Sequence, residues 1–135
     1  MRLLLSFTVS LMLLGCQAQQ DGSSANGELQ AYADVNVEQA AGLIEEDAVV
    51  VLDVRTDREY NSGHIEGARQ LDFYGDQFRT KLENLPKDQS YLVYCASGNR
   101  SGQAVKMMKK LGFEEAHNLR GGMGAWKGQS KKTVR

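Results

Sequence analysis

The sequence predicts an α/β domain with a central, mostly parallel, five-stranded sheet and helices on both faces. From Tyr32 onward short apolar runs alternate with helix-period segments, the signature of strand–helix–strand units. Two of those runs, residues 49–54 and 91–94, are apolar enough to be buried on both faces, as central parallel strands are. At 135 residues, with 41% hydrophobic and 24% charged side chains, the chain has room for one core and no second.

In chain order, residues 32–35 form a weak first strand. Asn36 and Gln39 stand three apart as a capping box, which opens a helix. The strand at 49–54 follows, and Thr56 with Glu59 makes a second capping box. Residues 70–72 form another weak strand, and the strong strand at 91–94 comes next. The segment 101–111 then places Ala104, Val105, Met108 and Leu111 on one helical face. Lys106, Lys109 and Lys110 point mostly outward, and Gly112 stops the helix. Lys109 and Lys110 also complement the helix dipole, which makes them a solvated, stabilising face rather than a binding one. Residues 116–119 form the last strand, and Trp126 packs a last helix.

The first residues belong to none of this. Met1 and Arg2 precede a largely apolar run, residues 3–14, too short to cross a bilayer as a helix and shaped like a secretory signal. The run ends in Leu13-Leu14-Gly15-Cys16, which resembles the bacterial lipobox, where cleavage exposes a cysteine for acylation. The expected organisation is a signal peptide at 1–15, a lipid-anchored flexible tether at 16–30, a folded domain at 31–128 and a basic tail at 129–135. Residues 17–28 carry no large apolar side chain and cannot offset their ordering entropy. A lipid on Cys16 would hold the domain beside a membrane. That implies a periplasm-facing lipoprotein of the cell envelope; Gln17 after the cysteine points to the outer membrane in a Gram-negative cell.

Composition excludes several functions. A formal charge of −1 lacks the basic excess that binding to nucleic acid through a cationic surface needs. Two cysteines cannot build a disulfide scaffold or a Cys-only zinc site, and two distant histidines add no metal site. The near-neutral balance hides a polarity along the chain: residues 28–66 hold ten acids and two bases, residues 100–135 nine bases and two acids. The basic half is expected to draw anions toward the remaining cysteine, Cys95.

With Cys16 acylated, Cys95 is a lone thiol in an oxidising compartment. It stands where the strand at 91–94 ends, before the small polar loop Ala96-Ser97-Gly98-Asn99-Arg100-Ser101 and a helix start. That end of a parallel strand is where ligands bind. Small residues let the backbone curl so that amide N–H groups point inward as an anion nest, reinforced by the helix N-terminus. Such a field favours thiolate over thiol without a histidine base.

The residues now resemble a known family. Leu52-Asp53-Val54-Arg55-Thr56-Asp57-Arg58-Glu59-Tyr60 with Gly63-His64-Ile65-Glu66-Gly67-Ala68 looks like the first signature of the rhodanese superfamily. The stretch from Cys95 to Ser101 resembles its active loop. Leu119-Arg120-Gly121-Gly122 with Ala125-Trp126 resembles its C-terminal signature. The resemblance implies a rhodanese-like fold and thiosulfate sulfurtransferase chemistry with no cofactor. Cys95 would take sulfur from thiosulfate or a similar anion as a persulfide and pass it to cyanide or a thiol, including a protein thiol. Ala96, Ser97, Gly98, Asn99, Arg100 and Ser101 would bind the substrate, with Arg100 either touching it or bracing the loop.

Asp53, Arg55 and Glu59 read as ion-pairing residues that hold the second strand to the following helix, His64 as the organiser of a turn, and His117 as a surface or strand-edge residue. The small loop implies a fairly open cysteine. Two alternatives stand beside the sulfurtransferase. A cysteine-loop phosphatase or arsenate reductase would resemble Cys followed by five residues and Arg, whereas four residues separate Cys95 from Arg100 here. A non-catalytic sulfur-carrier or docking module would keep the fold without turnover.

Overall fold

The computed structural model describes residues 29–135. The expected signal peptide, Cys16 and all but the last two residues of the expected tether lie outside the described residues. The elements in order are β1 (Asp34–Val35), α1 (Val37–Glu45), β2 (Val50–Asp53), α2 (Asp57–Asn61), β3 (Arg69–Gln70), α3 (Phe78–Glu83), β4 (Ser90–Tyr94), α4 (Asn99–Lys110), β5 (Glu115–Leu119) and α5 (Gly122–Gly128). The five strands form one all-parallel sheet in the order β1-β5-β4-β2-β3. After β2 the chain moves out to β3, and after β4 it moves the other way to β5. The carboxyl end of β4 therefore lies at a topological switch point, where open α/β sheets form their binding crevices.

Both capping boxes form. The Asn36 side chain accepts the Gln39 amide at 2.8 Å while the Asn36 amide donates to the Gln39 side chain at 3.0 Å. Thr56 and Glu59 repeat the exchange at the start of α2. The helix after the cysteine begins two residues earlier than its apolar pattern indicated, and it stops at Gly112, whose φ is +85°. There the Phe113 amide reaches back to the Met108 carbonyl at 3.1 Å, a Schellman closure with both side chains in the core.

β4 divides its side chains between two cores by strand alternation. Tyr91, Val93 and Cys95 face α3 and α4, packing with Phe78, Leu82, Ala104 and Met108. Leu92 and Tyr94 face α1 and α5, packing with Ala40, Met123 and Trp126. Helices on both faces explain why β4 reads as a continuous apolar run. The same arrangement corrects the expectation for His117. It is fully buried, because β5 lies between β1 and β4 and has no free edge. Its Nε2 meets Glu115 Oε1 at 2.7 Å, while Nδ1 has no hydrogen-bond partner among the described residues.

The basic tail is docked rather than loose. Trp126 Nε1 donates to the Lys132 carbonyl at 3.0 Å, and His64 and Val134 exchange two backbone hydrogen bonds of 2.9 Å each. His64 also stacks on Tyr60 and holds its carbonyl at 3.2 Å, which fixes the turn after α2.

Candidate active site

Cys95 leaves β4 with its sulfur under the loop. The Gly98 amide donates to Sγ at 3.1 Å and the Ser101 hydroxyl lies 3.4 Å away. Burial pushes the Cys95 thiol up. Hydrogen bonds from the Ser101 side chain and from the amides of Ser101, Ser97 and Gly98 outweigh that and hold it below its ordinary value. The expected inward amides are therefore present, and the sequence places them through two glycines.

Gly98, at φ +94°, turns the chain left-handed just before α4. Gly122, at φ +56°, opens α5 against the loop's outer side. The Met123 amide donates to the Cys95 carbonyl at 2.8 Å and the Gly124 amide to the Ala96 carbonyl at 3.1 Å. With its carbonyls drawn outward to α5, the loop is left with its N–H groups facing the sulfur.

That packing also overturns the expectation of an open thiol: Cys95 is 0% exposed, although Ala96, Ser97 and Asn99 are exposed around it. A cleft of about 440 Å³ lies on the far side of the loop, lined by Asp34, Asn99, Gln103, Lys106 and Asn118 among others, but Cys95 is not part of its wall.

Arg100 makes no hydrogen bond to the sulfur and grips Glu59 with both terminal nitrogens, at 2.9 and 2.8 Å. Its charge is thereby engaged, and Tyr74, the most exposed of the large hydrophobic side chains described, lies alongside with its ring centre 5.4 Å away. Glu59 thus joins α2 to the loop instead of to β2. The hydrogen bonds from Arg100, and further ones from Thr56, bring the Glu59 carboxyl down to about 2. A depressed acid stabilises the fold fully above its ordinary value of 4.5, and that contribution is lost as the pH falls toward 2. Wild-type and Glu59→Gln proteins compared by urea unfolding should therefore differ by about 1 kcal/mol near neutrality, the scale of a part-exposed pair. The gap should close as acid is added through that window; a constant gap would refute the linkage.

The other predicted pair is internal to the end of β2. Arg55 forks onto Asp53 through Nε at 2.9 Å and a terminal nitrogen at 2.6 Å, and donates onward to the Gly63 carbonyl at 2.8 Å. Both side chains are buried, so they brace the turn that follows α2 rather than reach the sulfur.

Sequence reasoning missed two contributors. Asn118, near the end of β5, accepts the Ser101 hydroxyl at 2.7 Å. Gly122 makes room for the Cys95 carbonyl, and its position in a tandem glycine pair was the available signal.

Residues 36–129 match the model of the rhodanese-like domain. The uncharacterized protein YqhL of Bacillus subtilis is 35% identical over 81 residues, which cover 60% of this chain and 63% of that protein. A sulfurtransferase of Allochromatium vinosum is 37% identical over 84 residues, covering 62% of this chain and 77% of that protein. Thiosulfate sulfurtransferase GlpE of Pseudomonas putida is 33% identical over 99 residues, covering 73% and 88%. Among solved structures, the crystal structure of a rhodanese-related protein from Thermoplasma volcanium matches with a TM-score of 0.68 at 31% identity, covering 76% of this chain and 98% of that one. A cysteine cradled by loop amides at the end of a central parallel strand, with sulfurtransferases among its relatives, places the chain in the rhodanese-like domain family.

Proposed function

We propose that the protein is a thiosulfate sulfurtransferase working through a persulfide on Cys95. The observation that carries this reading is the sulfur itself, a thiol made more acidic by the Ser101 hydroxyl and by the amides of Ser101, Ser97 and Gly98 at the switch point of the sheet. The Cys95 thiolate attacks the outer sulfur of thiosulfate. A sulfur–sulfur bond forms to the enzyme, the one within thiosulfate breaks, and sulfite leaves with the electron pair. Cyanide or a thiolate then attacks the terminal sulfur and returns the Cys95 thiolate. Such double displacement gives ping-pong kinetics. The amides of Ser97, Gly98 and Ser101 stabilise the negative persulfide, as an oxyanion hole stabilises developing charge. Ala96, Ser97 and Asn99, exposed at the rim, meet the incoming anion, and Arg100 braces the loop through Glu59.

The same pairing of Arg100 weighs against the phosphatase or arsenate reductase reading, since a phosphoryl group needs a guanidinium free to take its oxygens. A lowered thiol weighs against a non-catalytic docking role. The test is intact mass after incubation with thiosulfate: a gain of one sulfur is expected, and its loss on adding cyanide. No gain, together with hydrolysis of an aryl phosphate, would overturn the reading.

The cellular setting belongs to the same proposal. Cys16 carries the lipid that anchors a periplasm-facing domain to the envelope, in the outer membrane of a Gram-negative cell, and the support is the lipobox-like sequence at residues 13–16. The acceptor there is a thiol, including that of a partner protein. Palmitate labelling with membrane fractionation checks the anchor; an unlabelled soluble protein would refute it.

A further inference from the structure

Ser101 Oγ lies 2.7 Å from Asn118 Oδ1 and 3.4 Å from Cys95 Sγ. A serine hydroxyl has one proton to give, so the two contacts cannot both be donated at once. The orientation of the Asn118 amide is fixed by its other end, because Nδ2 donates to Asp34 Oδ1 at 2.8 Å and to the Gly98 carbonyl at 3.2 Å, groups that can only accept. Oδ1 is therefore the atom that faces Ser101.

With a neutral thiol, the shorter contact holds the proton on the Asn118 side, and the Cys95 S–H can donate to the Ser101 oxygen. A thiolate or persulfide can only accept. Ser101 can serve it only by turning its hydroxyl away from Asn118, which leaves a buried amide oxygen without its donor.

We propose that Asn118 is a positioning residue that competes with the Cys95 sulfur for the single hydroxyl proton of Ser101, and so sets how readily the thiol ionises. The inference rests on the persulfide reading for its purpose but not for its test. Attack on a sulfane sulfur is fastest when the thiol ionises near ambient pH, because an over-stabilised thiolate is a poorer nucleophile. Amides alone would keep lowering the thiol; a competitor for one donor limits that.

The charged groups about the sulfur are Arg100 of α4, held by Glu59 of α2, and Asp34 of β1 on the far side of Asn118. Asp53 at the end of β2 is paired with Arg55, which also donates to the Gly63 carbonyl. None of these charges is altered by an uncharged replacement at 118.

The experiment is iodoacetamide alkylation of the full chain across pH, read from the mass of the Cys95 peptide so that Cys16 is scored separately. Asn118→Leu, close in shape, and Asn118→Ala should each lower the midpoint of the rate profile by about half a pH unit, a roughly threefold gain in rate below the midpoint. In a Ser101→Ala background the same substitutions should leave the midpoint in place. An equal shift in both backgrounds would assign the effect to the Gly98 carbonyl or to loosening, and would overturn the proposal, as would an upward shift or none. Either replacement suffices if the other loses its far-ultraviolet circular dichroism. No sulfur donor enters, so a failed persulfide test and a failed competition test are distinguishable.

Discussion

Cys95→Ser is expected to abolish sulfur loading from thiosulfate while leaving the fold in place. The side chain is enclosed, and an oxygen at the γ position can still accept from the Gly98 amide and the Ser101 hydroxyl, so no buried donor is stranded. The stability change should stay within about 1 kcal/mol, since no cavity of note is opened. What is lost is the nucleophile: a serine hydroxyl stays protonated in this loop because, among the described residues, no histidine or carboxylate hydrogen-bonds to position 95, whereas the thiol is already lowered by the Ser101 hydroxyl and the amides. Peptide mass after thiosulfate treatment should show no added sulfur on the peptide that carries position 95. Thiocyanate formation should fall to the level of the reaction without enzyme. Retained loading at that peptide would refute the covalent mechanism, and a collapsed thermal transition would show that the thiol had been a packing residue.

Where the local signal and the global packing agree, the fold is legible residue by residue. Asn36 with Gln39 and Thr56 with Glu59 need only their own neighbours, and both boxes form as their spacing predicts. The strands at β2 and β4 are legible because burial on both faces leaves no polar position to interrupt them. α3 is not, because its two buried residues, Phe78 and Leu82, give less than two turns of pattern and its N-cap, Gln77, makes no side-chain bond. His117 misleads because polarity is a local property and burial is not: its enclosure depends on β1 arriving beside β5 from the other end of the domain. Cys95 is legible from the loop around it, whereas its depth depends on α5. Glu59 shows the same limit, since its carboxylate has a local partner in Thr56 and a distant one in Arg100, and only the first is visible from spacing.

Gly122→Ala should damage both stability and sulfur transfer, and the reason is geometric. A Cβ at this position would lie 2.4 Å from the Cys95 carbonyl oxygen and 2.8 Å from the Ala96 carbonyl, backbone atoms that no side-chain rotation can move aside. The φ of +56° adds the left-handed penalty of about 1–2 kcal/mol. Forcing the methyl into packed backbone adds about 1–3 kcal/mol. Relief requires α5 to retreat, and its amides then release the carbonyls of Cys95 and Ala96, which are what turn the loop N–H groups toward sulfur. Loss of one preorganised donor costs on the order of a hundredfold in rate. The turnover of Gly122→Ala should fall by at least that much, and its urea midpoint should drop. Gly42, in α1, has nothing within 4 Å of an added Cβ and an ordinary φ. Gly42→Ala should therefore raise stability by about 0.5–1 kcal/mol and leave sulfur transfer unchanged. Equal behaviour of the two variants would mean that glycine content, rather than the contact between α5 and the cysteine loop, governs the site.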